Sequence, residues 1–93
     1  MIGNFRAKDT ERLFRRDPIR KLPQAIQRVA LRKLGQLDAA PTLDDLRVPP
    51  GNRFEKLVGD RTGEYSVRIN DQWRICFRWE RGNAYDVEIV DHH

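Results

Sequence analysis

Three arginines and a pair of histidines are the residues of this chain best equipped for chemistry. Arg68, Arg74 and Arg78 stand in alternation with Val67, Ile69, Trp73, Ile75, Phe77 and Trp79. Strand side chains alternate strictly, so the arginines share one face and the apolar residues the other. With a reversal over residues 70–72, Arg68 and Arg74 lie nearly opposite one another, a like-charge pairing that a core argument alone does not produce. Planar, permanently charged guanidinium forks suit phosphate oxygens. The competing reading is ordinary cross-strand ion pairing with Asp86 and Glu88. His92 and His93 are the only histidines, and imidazole, with an unperturbed pKa of about 6.5, is suited to proton transfer near neutrality. Asp91 beside them is placed to orient a ring. Against this, terminal residues fray and a His-His ending also has the form of a tag remnant. Two adjacent histidines without a specific third ligand do not make a metal site. Lys56 either adds charge to the arginine face or is simply solvated. Cys76, on the arginine face with no histidine nearby in sequence, reads as a small packing residue. No Gly-rich phosphate loop or specific carboxylate pair is present, and no cofactor is expected.

The elements that must position these residues follow from periodicity. Residues 63–79 form a hairpin, with Tyr65, Val67 and Ile69 sharing the apolar face of its first strand. Asn70-Asp71 at the tip are turn formers. Arg81-Gly82-Asn83 turns into a last strand from Ala84 to Val90, on which Tyr85, Val87 and Ile89 alternate against Asp86 and Glu88. Phe54–Leu57 is a short strand before the Gly59–Gly63 turn. Upstream, Leu22, Ile26, Val29, Ala30, Leu34 and Leu37 recur at three- and four-residue steps, one apolar stripe of a helix. Pro23 suits its first position, and it ends near Ala39-Ala40 ahead of Pro41. Arg28, Arg32 and Lys33 fall largely off the stripe. A shorter helix, capped by Asp9, runs to about Arg16 and is broken by Asp17-Pro18. Thr42 and Asp45 bracket a helical turn in a shortened capping box. Ile2–Phe5 is a β-like segment that joins the later sheet. Helices on one side of an antiparallel sheet make an α+β fold.

Ninety-three residues support one domain, residues 1–93, with one small core. No apolar run approaches the roughly 18 residues of a membrane span, and the N-terminus lacks a secretory pattern. One cysteine excludes an internal disulfide framework, and a reducing cytoplasm is the expected compartment. Net charge is +4, unevenly placed: residues 1–33 hold ten Lys or Arg against three acids, a balance of +7, leaving −3 for the remainder. Such a chain favours polyanions, or else carries a solubilising surface.

Gly59-Asp60-Arg61-Thr62-Gly63, Tyr65 to Asn70, Trp73 to Phe77 and Val87 to His93 together resemble the HigB-like toxins of the RelE superfamily. Leu46 to Arg53, with its two prolines, and the opening Met1 to Phe5 also fit, so the resemblance covers essentially the whole chain. It implies a small bacterial toxin of a type II toxin–antitoxin pair, with a RelE-like, microbial-ribonuclease-like twisted sheet that carries its N-terminal helices on one face. It further implies that the toxin enters the ribosomal A site and cuts mRNA there without a metal, using the RNA's own 2′-hydroxyl. The expected partners are ribosome, mRNA and a HigA-like helix-turn-helix antitoxin, with operator DNA met only through the toxin–antitoxin complex. Arg74 matches the family's catalytic arginine, His93 its terminal histidine, which also argues against a tag, and Asp91 the acid beside it. His92 stands where an aromatic residue is found. The best-studied type has a histidine and a lysine around positions 55 and 58, where this chain has Glu55 and Val58. Glu55 is then a possible base, and Lys56 a possible replacement for the lost charge.

Attack by a 2′-hydroxyl needs a proton acceptor, stabilisation of a phosphorane-like transition state and a proton for the leaving 5′ oxygen. Arg74 and His93 answer to those needs, with Arg68, Arg78 and Lys56 as further phosphate contacts. Arg28, Arg32 and Lys33 suit ribosomal RNA, a salt-sensitive attraction. The alternatives are a toxin of the same fold that acts on DNA gyrase, and a non-catalytic module that binds antitoxin or RNA.

Overall fold

Residues 1–17 and 19–91 are described by a computed structural model. The histidine assignments at positions 92 and 93, and the helix-breaking role given to Pro18, lie outside them. In order, the chain forms α1 (Lys8–Phe14), α2 (Gln24–Ala39), 3₁₀ turns at Leu43–Arg47 and Pro50–Asn52, β1 (Glu55–Lys56), a third 3₁₀ turn at Gly59–Arg61, β2 (Glu64–Arg68), β3 (Trp73–Glu80) and β4 (Asn83–Asp91). The strands make one antiparallel meander, β1-β2-β3-β4. Among the described residues, no helix is long and apolar enough to cross a membrane.

The apolar stripe of α2 covers the hairpin as its spacing requires. Ala30, Leu34 and Leu37 are completely buried together with Ile75 and Phe77. Burying each such leucine stabilises the fold by about 1.5–3 kcal/mol. Lys33 departs from expectation: it is buried, not presented on the solvent side. The reason is positional, since 33 lies three residues after Ala30 and four before Leu37, on the same helical face.

The helix ends also differ in detail. Ala7, not Asp9, occupies the N-cap of α1, and Asp9 sits within the first turn. The helix stops at Phe14, before Arg16, because Arg16 takes a φ of +68° and its N–H donates to the Leu13 carbonyl. Pro23 is the N-cap of α2, its carbonyl accepting the N–H groups of Ile26 and Gln27. The Thr42–Asp45 capping box forms, with the Thr42 N–H donating to the Asp45 carboxylate at 3.0 Å.

At the hairpin tip, Asn70 Oδ1 accepts the N–H groups of Gln72 (2.9 Å) and Trp73 (2.8 Å), a side chain standing in for a backbone turn. This fixes the register in which Arg68 faces Arg74. On β4 the alternation breaks. A bulge opposite Phe77 and a φ of +53° at Asp86 put Tyr85 across from Arg78, so Tyr85 joins the arginine face while Ala84, Val87 and Ile89 enter the core. An extra residue in one strand inverts the parity that a strict period of two assumes. Ile2 and Phe5 join the outer edge of β4 through single parallel bridges to Ala84 and Val87. Gly3 between them leaves room for the Tyr85 ring, which would have to shift to admit a Cβ there.

Candidate active site

The arginine face divides into two halves of opposite character. At the Arg78 end the positive charges are neutralised within the protein. Arg78 donates to Asp86 at 2.7 Å and to Glu80 at 3.1 Å, while its guanidinium lies over the Tyr85 ring. Arg61 bridges Glu64 (3.0 Å) and Glu88 (2.9 Å), and Arg6 also reaches Glu88 at 3.2 Å. The Arg78 hydrogen bond holds the Asp86 carboxyl below its ordinary range. Of the two readings of Arg78, ion pairing with the neighbouring strand describes its position here. Arg78 is also four residues along β3 from Arg74, about 13 Å at strand rise.

At the other end the charges are held differently. Arg74 is only 7% exposed. Its Nε donates to Ser66 Oγ at 2.8 Å, and its Nη2 to the Arg53 carbonyl at 2.7 Å. Glu55 Oε2 lies 3.4 Å from the same Nη2, on a largely solvent-exposed side chain. Two anchors therefore fix the plane of the guanidinium, and Nη1 makes no hydrogen bond among the described residues. Arg53 offers its carbonyl because it adopts left-handed backbone (φ +41°) just after the Pro50–Asn52 turn. Arg68, directly across from Arg74, pairs with Asp71 at the fully exposed hairpin tip. Exposed pairs of this kind are weak, so an incoming anion can compete for the guanidinium.

Lys33 approaches this cluster from α2. Its ammonium donates to Asn52 Oδ1 at 2.7 Å. Burial pushes it below the usual lysine range, and Arg32, Arg68 and Arg74 push in the same direction. Arg28 and Arg32 are exposed on α2. Lys56 does not join the arginine face. It pairs with Tyr65, whereas Glu55 pairs with Ser66, so alternation turns Lys56 to the other side, where it lines a groove with Phe54 and Arg47. Asp91 ends β4 opposite Trp73, and it is Val90 that lies across from Arg74. The Asp91 carboxylate accepts from Gln72 Nε2 at 3.4 Å. Cys76 is buried in the packing role expected of it, its thiol pushed up mainly by desolvation.

Sequence reasoning missed Ser66, Asn52 and the Arg53 carbonyl. Ser66 was legible in principle, being a small hydroxyl in phase with Arg68. The carbonyl was not, since every residue carries one. What the assembled groups can do is bind a phosphodiester on an oriented guanidinium edge, with a carboxylate, Glu55, beside it to take a proton.

Comparison with known proteins bears on the same geometry. Over 93 residues the chain is 42% identical to Toxin HigB-1 of Vibrio cholerae serotype O1, covering 99% of this chain and 98% of the relative. It is 31% identical over 94 residues to Endoribonuclease HigB of Proteus vulgaris, with both chains fully covered. The fold is similar to that in a YoeB–YefM complex from Staphylococcus aureus, with a TM-score of 0.58 at 16% identity over 100% of this chain and 99% of the other. Residues 3–93 match the family model of the HigB-like toxins. A four-stranded meander under two helices, a single buried arginine held on its open face and whole-length similarity to two HigB proteins agree: the chain belongs to the HigB-like toxins, RelE-like toxins of type II toxin–antitoxin systems.

Proposed function

We propose that this chain, folded as one domain over residues 1–93, is an endoribonuclease that cleaves mRNA in the ribosomal A site and so halts translation. The observation that carries the reading is Arg74, buried and fixed by Ser66 and Arg53, with no hydrogen bond from its Nη1 among the described residues. A permanently charged fork held rigid at a surface is a preorganised site for charge developing on a phosphorane. Arg68 is the second cation within reach. Glu55 takes the proton of the attacking 2′-hydroxyl, the 2′ oxygen bonds to phosphorus, and the bond to the 5′ oxygen breaks. His93 supplies the proton to that oxygen, so a 2′,3′-cyclic phosphate and a free 5′-hydroxyl result. Asp91 orients the imidazole, and His92 stacks on a base. The arginines provide the charge stabilisation, so no metal is required by this route.

The basic N-terminal third suits the ribosome. Arg28 and Arg32, exposed on α2, meet rRNA phosphates. An antitoxin partner follows from membership of the family and is in keeping with the toxin–antitoxin complexes that share the fold. We assign it a helix-turn-helix antitoxin that brings the toxin to operator DNA, and we place the toxin in the cytoplasm, where its mRNA substrate is.

The test is mRNA cleavage in a purified translation system, with and without ribosomes, by wild type, Arg74→Ala and His93→Ala. Cleavage only with ribosomes, lost in both variants, is the expected result. A wild type that cleaves nothing would overturn the nuclease reading in favour of a gyrase-directed or purely binding toxin.

A further inference from the structure

Lys33 is the buried charge that the proposed mechanism does not use. It is 7% exposed, and among the described residues no carboxylate pairs with its ammonium. Its hydrogen-bond partner is neutral, Asn52, itself 1% exposed. Asn52 in turn donates to the carbonyls of Leu46 (3.1 Å) and Val48 (3.4 Å), which ties down the proline-bearing loop. The next residue, Arg53, supplies the carbonyl that holds Arg74. One short chain of contacts thus runs from α2 through the loop to the guanidinium.

A cation in such a place is costly to bury, and methionine would fill nearly the same volume without that cost. Its charge also stands near three arginines, Arg32, Arg68 and Arg74, which push on its ammonium in turn. Among the described residues, only two exposed carboxylates, Asp71 and Glu55, stand against Arg68 and Arg74, so Lys33 adds a positive charge that raises the potential at the open side of the cluster, where an anion is then held more tightly.

We propose that Lys33 is a positioning residue for the phosphate site: through Asn52 it fixes the loop whose Arg53 carbonyl aims Arg74, and its charge strengthens the field there. This inference rests on the assignment of Arg74 to phosphate. It gives α2, which covers the sheet and carries Arg28 and Arg32 on its exposed face, a further part in positioning the reacting groups.

The experiment compares wild type, Lys33→Met and Lys33→Arg as full-length proteins whose folding is verified by thermal melting. Two readouts are taken: single-turnover cleavage on mRNA-programmed ribosomes, and the NMR response of the Arg74 Nε–H to inorganic phosphate titrated into free protein. Lys33→Met is expected to lower the maximal rate about 10- to 100-fold, the scale of a small misplacement of a reacting group, with half-saturation changed less than about twofold. It should also weaken the phosphate response, and Lys33→Arg should recover most of both. Wild-type rate and wild-type phosphate response in Lys33→Met would overturn the proposal. So would an Arg variant that behaves like the Met variant while remaining folded. If wild type cleaves no RNA yet its Arg74 signal answers to phosphate and loses that answer in Lys33→Met, the nuclease reading fails while this one stands.

Discussion

Ser66→Ala is the substitution that most directly probes how Arg74 is held. Ser66 is completely buried, and its hydroxyl accepts from Arg74 Nε at 2.8 Å, so alanine removes one of two anchors and leaves the Arg53 carbonyl as the other. Stranding a charged N–H in a buried place costs about 1–3 kcal/mol of stability. For a domain of this size that lowers the melting temperature by about 4–8 °C per kcal/mol, so rates must be compared well below the transition. The effect on catalysis is separate. An arginine side chain released from one fixed geometry regains up to about 1.5–2 kcal/mol of rotamer freedom. If that freedom must be surrendered again in the transition state, the cleavage rate falls roughly 10- to 30-fold, at 1.36 kcal/mol per decade. Single-turnover cleavage on programmed ribosomes measures it in four proteins: wild type, Ser66→Ala, Arg74→Ala and the double variant. Because Ser66 acts through Arg74, its removal should cost nothing further once Arg74 is gone. An equal loss in both backgrounds would refute the reasoning, and so would a Ser66→Ala variant that cleaves at the wild-type rate.

Glu55→Gln should lower the maximal cleavage rate by about 10²–10⁴ if the carboxylate is the proton acceptor, without weakening RNA binding, since a negative charge beside Arg74 is removed; near-wild-type cleavage would transfer that role to another group. Reversing the exposed Arg28 and Arg32 to glutamate should weaken ribosome binding in a salt-dependent way and leave the melting temperature of the free protein within a few degrees, and unchanged binding in a sedimentation assay at moderate salt would remove α2 from the ribosome contact.

The neutralised end of the arginine face explains a division of labour that alternation alone conceals. Arg68, Arg74 and Arg78 are equivalent by parity, yet Arg78 is consumed by Asp86 and Glu80 while Arg74 is held by uncharged oxygen atoms and one exposed carboxylate. The Arg78–Asp86 pair lies beside the β4 bulge. There Asp86 leaves the regular register, and its carboxylate sits against Arg78. The same bulge places the Tyr85 ring under the Arg78 guanidinium and against Gly3, where a side chain would press on the ring. An antiparallel ladder without it would have left Tyr85 in the core, as the period-two pattern predicts.

What the sequence determined by itself was whatever depends on local spacing. The period of two in residues 65–79 sets the hairpin and the face of its arginines, and the three-and-four spacing from Leu22 to Leu37 sets the helix that covers it. Asn70 at the tip sets the register that opposes Arg68 and Arg74. These interactions join residues close along the chain, so side-chain type alone reports them. The tertiary structure decided the rest. It buried Lys33 against Asn52, turned Lys56 away from Glu55, and brought the Arg53 carbonyl from 21 residues upstream onto Arg74. Those outcomes depend on a loop's left-handed residue, on the parity of a two-residue strand and on a backbone oxygen. None of these carries a residue-type signal, and each is settled only when the whole sheet and its helix are packed together.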